Sequence, residues 1–175
     1  MTDTQPLEAA LAADQATAKA NKLVIFTWGG DLDKVWPTLI LATTAAAMGM
    51  QTTVFFTFWG LFPLVRNDVR LTGDNWMQKA MSLLHRGGTQ HLRLSQLNFA
   101  GAGPAMMRKL AADHQVASPQ ELLELARDMG VRLIPCQMTM DLLGLTRDDM
   151  IDGLEEPAGA ATALAEAQDA ITLFI

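Results

Sequence analysis

Leu133-Ile134-Pro135-Cys136-Gln137-Met138-Thr139-Met140-Asp141-Leu142-Leu143-Gly144 reads as a buried strand that stops at a proline, presents a cysteine and turns into a short helix. Cys136 is the single cysteine in 175 residues, so it has no disulfide partner within the chain. Pro135 fixes its own φ and keeps Ile134 extended, which is expected to aim the next side chain out of the sheet. A helix beginning near Thr139 would bring free N–H groups and a positive helix end close to the sulfur, a setting that favours thiolate over thiol. Equally, cysteines are among the most often buried residues and then behave as inert small apolar groups. The residues alone leave Cys136 open between these two roles.

Strands and helices alternate outward from this segment. Lys22-Leu23-Val24-Ile25-Phe26-Thr27-Trp28 is a continuous apolar run of the kind found in strands buried on both faces. Gly29-Gly30 breaks it, Asp31 or Asp33 can cap a helix from about Lys34 to Met48, and Gly49 stops that helix. Thr52-Thr53-Val54-Phe55-Phe56-Thr57-Phe58, β-branched and aromatic, is a second buried strand. Strand, helix and strand in so short a stretch form a βαβ unit with parallel strands and a right-handed crossover.

Trp59 to Gly73 is irregular, with Leu61, Phe62, Leu64 and Val65 expected to be covered. Left uncovered, they would form an apolar patch suited to a subunit contact. Asp74 caps a helix to about Leu84, and His91 to Leu97 reads as a third strand or an extended loop. Pro104 suits a first helical position in a helix reaching Asp113. Ser118-Pro119-Gln120-Glu121 is a capping box. A short helix at Thr146–Asp149, another from Pro157 to Gln168 and a strand at Ala170–Ile175 complete the order. Such alternation specifies a three-layer α/β/α architecture with a mainly parallel sheet, in one domain over residues 21–175. Residues 1–20 read as a helix or a flexible tail.

Half of the residues are apolar and 18% are charged, which excludes a disordered or fibrous chain. Thirteen basic against 19 acidic side chains leave a net charge of −6 with no basic cluster, so no nucleic-acid partner is expected. One cysteine and no basic-plus-apolar start point to a reducing, cytoplasmic compartment. The stretch between Lys34 and Arg66 lacks charge and is long enough to span a bilayer. Pro37, Gly49, Gly60, Pro63 and the polar Gln51-Thr52-Thr53 interrupt it, which favours the buried βαβ unit over a membrane span.

In open parallel sheets, sites form outside the carboxyl ends of the strands. Cys136, Trp28-Gly29-Gly30-Asp31 and Trp59-Gly60 all follow strand ends, so topology gathers them on one edge. With Gln137, Met138, Thr139 and Met140 they make up the candidate pocket. His85, His91 and His114 lack ligand spacing, so no metal site is expected, and Gly29-Gly30 fits no phosphate-loop pattern, so no cofactor is expected either. No histidine can be tied to Cys136 as the base of a hydrolase.

Ile134 to Gly144 resembles the cysteine-x-Met-Ser/Thr-Met-x-x-x-Gly segment of the DsrE/DsrF-like family, and is most similar to its single-domain sulfur-oxidation members. Thr27 to Lys34 and Thr53 to Leu61 match the family layout, and the resemblance covers roughly residues 20 to 175. It implies a sheet of about five parallel strands between helices. It also implies a sulfur relay, in which Cys136 accepts sulfane sulfur as a persulfide or thiosulfonate and exchanges it with a TusA-like carrier or a rhodanese. Backbone N–H groups from Gln137 to Met140 would stabilise the anionic sulfur. Some relatives carry an additional cysteine; its absence here excludes a two-thiol relay within the chain. Family habit further implies a homo-oligomer, a trimer or a multiple of one, and some relatives are membrane-associated. Whether the chain is a sulfurtransferase or only a carrier stays open. A thiol peroxidase lacks its resolving cysteine and threonine-arginine motif here. The competing reading is a non-catalytic assembly module with a buried, inert Cys136.

Overall fold

A computed structural model describes residues 21–68 and 87–175. The expected N-terminal helix or tail and the helix from Asp74 to Leu84 lie outside the described residues. Strand β1 (Lys22–Thr27) leads to α1 (Leu32–Ala47) and β2 (Gln51–Phe56), followed by a 3-10 helix at Phe58–Leu64. Short 3-10 turns at Thr89–His91 and Phe99–Gly101 precede α2 (Ala102–Asp113) and α3 (Pro119–Asp128). Then come β3 (Arg132–Pro135), α4 (Gln137–Leu143), a 3-10 turn at Arg147–Asp149, α5 (Ala160–Glu166) and β4 (Ile171–Phe174).

The four described strands form one parallel sheet in the order β3-β2-β1-β4. Alternation along the strands divides the core in two. Leu23, Ile25, Val54, Phe56 and Leu133 pack with Val35, Trp36, Leu39 and Ala42 of α1 and with Leu122, Leu123 and Ala126 of α3. On the opposite face Phe55, Ile134 and Cys136 pack with Ala163 of α5, flanked by Phe26 and Ala158. Among the described residues the first layer is thick and the second is the short α5.

The helix α1 buries residues at three- and four-residue spacing, and its mid-helix Thr38 and Thr43 hydroxyls donate back to the Lys34 and Leu39 carbonyls. Gly49, at φ 78°, ends it as expected. The capping box also forms: Ser118 Oγ accepts the Glu121 N–H at 3.3 Å, and Glu121 Oε2 accepts the Ser118 N–H at 2.7 Å.

One expectation is corrected. Four strands rather than about five are present among the described residues, since of the two readings of His91–Leu97, strand or extended loop, the loop is the one that forms. Its backbone serves α1 instead: the Arg93 carbonyl accepts the Leu32 N–H at 2.7 Å, and the Ser95 N–H donates to the Asp33 carboxylate at 2.9 Å. The charge-free stretch from Val35 to Val65 divides into helix, strand and 3-10 helix, and no helix among the described residues is long and apolar enough to cross a membrane.

Candidate functional site

Cys136 prolongs β3 by one residue. Its N–H donates to the Phe56 carbonyl at 2.9 Å, continuing the ladder toward β2. On the other side, Ala158 donates to the Pro135 carbonyl and accepts the Gln137 N–H, both at 3.0 Å. The cysteine is thus held between two extended segments, and strand alternation turns its side chain to the same face as Ile134. There Ala163 closes over it, and Cys136 is 3% exposed. The expectation that Pro135 aims this residue out of the sheet is therefore corrected: the extra ladder bonds and α5 keep it in.

Helix α4 begins at Gln137, earlier than the expected start near Thr139, so Cys136 is itself the N-cap residue. Of the first-turn amides, that of Gln137 is bonded to Ala158 and that of Met140 to the Cys136 carbonyl. Thr139 is buried, and its hydroxyl accepts the Phe58 N–H at 3.1 Å and shares a 3.2 Å hydrogen bond with the Thr57 hydroxyl. This pins α4 to the loop leaving β2. Met140 enters the main core, whereas Met138 is exposed and the exposed Gln137 side chain bonds Asp141 at 2.7 Å.

The other expected site residues assemble apart from the cysteine. Gly29, Gly30, Asp31 and Trp59 line a cavity of about 410 Å³ together with Lys34, Phe62, His91, Leu92 and Arg93. Cys136 and the residues Gln137 to Met140 are not in its wall, nor are Trp28 and Gly60. Trp28 stacks on Phe174 with ring centroids 6.4 Å apart, and Lys34 Nζ sits 4.7 Å from the Trp28 ring while pairing with Asp31 at 2.9 Å. Gly30 and Gly60 let the two loops approach closely. A methyl group on Gly30 would strike the Trp59 carbonyl, and one on Gly60 the Thr27 carbonyl. The Gly60 N–H also donates to the Trp28 carbonyl at 3.0 Å.

Charge is arranged around these features. Asp33 is bonded to the Ser95 hydroxyl and N–H. Burial raises its pKa, but those two bonds outweigh it and hold the carboxyl below the ordinary range. Glu166, on the last turn of α5, pairs with Arg132 at 2.8 Å and Lys22 at 3.5 Å. The Arg132 hydrogen bond keeps its carboxyl below the usual glutamate range.

Sequence reading missed the cavity residues Phe62, His91, Leu92 and Arg93, and the cover residues Ala158 and Ala163. No spacing ties residues 91–93 to the β1 loop. The small-residue run Ala158-Gly159-Ala160-Ala161 was the one available sign of close helix–sheet approach.

Comparison with known proteins agrees with this architecture. The chain is 35% identical over 160 residues to the uncharacterized protein YrkE of Bacillus subtilis (strain 168), covering 91% of this chain and 99% of that one. It is 36% identical over 158 residues to the sulfur carrier protein DsrE2 of Allochromatium vinosum, covering 89% and 98%. The solved structure of the YchN protein from E. coli matches with a TM-score of 0.53 at 12% identity, over 88% of this chain and 99% of that one, a likeness of fold alone. The sequence model of the DsrE/DsrF/DrsH-like family matches residues 19–174, and the chain belongs to that family.

Proposed function

We propose that the protein is a sulfur-relay protein that carries sulfane sulfur on Cys136. The observation that carries this reading is the placement of the single thiol at the carboxyl end of β3, directly before a helix, in a chain similar to a sulfur carrier protein. The Cys136 thiolate attacks the outer sulfur of a donor such as thiosulfate. A new S–S bond forms, the donor S–S bond breaks, and sulfite leaves with that bond's electron pair. The bound persulfide then gives its outer sulfur to the thiolate of a TusA-like carrier or a rhodanese, regenerating the Cys136 thiolate. No second thiol exists in the chain, so the sulfur leaves to another molecule. Exposed Phe174 and Ile171 on the edge strand β4 support a homo-oligomer.

Intact mass measured after incubation of the reduced protein with thiosulfate, tetrathionate or polysulfide tests the reading. The expected result is a sulfur adduct on the wild type and none on Cys136→Ser. No adduct, or the same adduct on both, overturns it.

The burial of Cys136 favours a second reading, an assembly module whose thiol is inert. Of the segment Phe58 to Val65 that this reading uses for assembly, Leu61, Phe62, Leu64 and Val65 are covered within the monomer, while Phe58 and Trp59 are exposed. Thiol titration of the native protein separates the two: labelling that requires denaturant supports the module.

A further inference from the structure

A thiol that is 3% exposed cannot meet a donor or an acceptor in the closed fold. Among the described residues, what covers it is light. Helix α5 is seven residues long and buries only Ala163 completely, while Leu164 points to solvent. Its N-cap is Gly159, whose side-chain space is empty and which makes no side-chain cap bond. At the other end the chain turns at Asp169, in the left-handed region at φ 56°. Between these two points, Glu166 pairs with Arg132 at the start of β3 and Lys22 at the start of β1. Ala158, just before Gly159, stays fixed to β3 through its two ladder bonds.

We propose that α5 is a latched cover over Cys136, hinged at Gly159 and fastened to the sheet by Glu166. With the latch open, Ala163 lifts from the cluster of Phe55, Ile134 and Cys136 while the ladder at Ala158 remains. The latch lies at the strand starts and the thiol at the strand ends, so the two respond to different groups on a docking partner. Surface ion pairs are individually weak and screened by salt, which suits a cover that must open often.

The test follows alkylation of Cys136 by a small neutral maleimide on the full chain, with denatured protein as the reference. Native wild type is expected to react at least tenfold more slowly than denatured chain. Glu166→Gln is expected to speed native labelling about three- to tenfold, the range given by the loss of two surface ion pairs. Glu155→Gln removes a different partner of Arg132, at 3.5 Å and outside α5, and is expected to leave the rate unchanged. High salt accelerates the wild type and not Glu166→Gln. Backbone amide exchange gives an independent reading, with residues 160–166 exchanging ahead of β1 and β2. Native labelling as fast as in denatured protein, no effect of Glu166→Gln, an equal effect of Glu155→Gln, or equal protection of α5 and β2 each overturns the proposal. Because the probe is an alkylating reagent, a cover that opens on a thiol that never takes up sulfur would refute the relay and leave the cover standing.

Discussion

Thr139 uses one oxygen to hold two parts of the site together. Replacing it with Val keeps the shape but leaves the Phe58 N–H and the Thr57 hydroxyl without that partner. Losing hydrogen bonds at such a part-buried site costs about 0.5–1.5 kcal/mol each. Thr139→Val should therefore lower Tm clearly in a thermal melt, while Thr139→Ser should stay close to wild type. Gly60→Ala forces a methyl group against the Thr27 backbone, and the resulting strain is expected to cost about 1–3 kcal/mol in denaturant unfolding. At this scale the position of Cys136 was legible, since a lone cysteine after a proline-ended strand stands out in any sequence. Its burial was not. That depends on Ala158 and Ala163, residues too small to advertise a contact.

Among the elements, those with local signals were read correctly. The capping box of α3 is a contact between residues three apart, and strands buried on both faces announce themselves as apolar runs. Elements whose fate rests on distant partners were not. Residues 91–97 read as either a strand or an extended loop, and the partner that selects the loop is distant: their carbonyls and amides are recruited by the start of α1. Pro157 to Gln168 looked like one helix, but its first residues pair with Cys136 and Pro135, so only Ala160–Glu166 coils. The tie at the start of α1 also predicts a pH effect. Asp33 has its pKa lowered in the fold, so its bonds to Ser95 stabilise the protein fully above the ordinary aspartate value. That contribution is lost as pH falls through the depressed folded value. In urea unfolding followed from neutral to acid pH, Asp33→Asn should flatten the acid limb of the stability curve, and an unchanged acid limb would count against this tie.

For the molecule as a whole, the two sides of the sheet are unequal. α1 and α3 bury one face deeply, whereas the face under α5 leaves Phe26 half-buried and Phe174 72% exposed. Phe99 and Met106, 71% and 73% exposed, form a second apolar region around α2. Light scattering is expected to return a multiple of the 19.0 kDa chain mass, and Phe174→Glu is expected to shift that mass downward if the edge strand β4 is the contact. A plain monomer at micromolar concentration would rule this out.

The parallel ladder that joins Leu23 to Ile171 has a kinetic corollary. Pairing β1 with β4 closes a loop spanning nearly all of the described chain, a step whose entropic cost makes it slow relative to the local β1–α1–β2 unit. α5 is carried into place with β4, since only a short turn separates them. The central strands are therefore expected to assemble first and the thiol to be sealed last, leaving a newly made chain an interval in which its one thiol faces the solvent. For such a protein the speed of chain closure sets how long that sulfur stands open to oxidants.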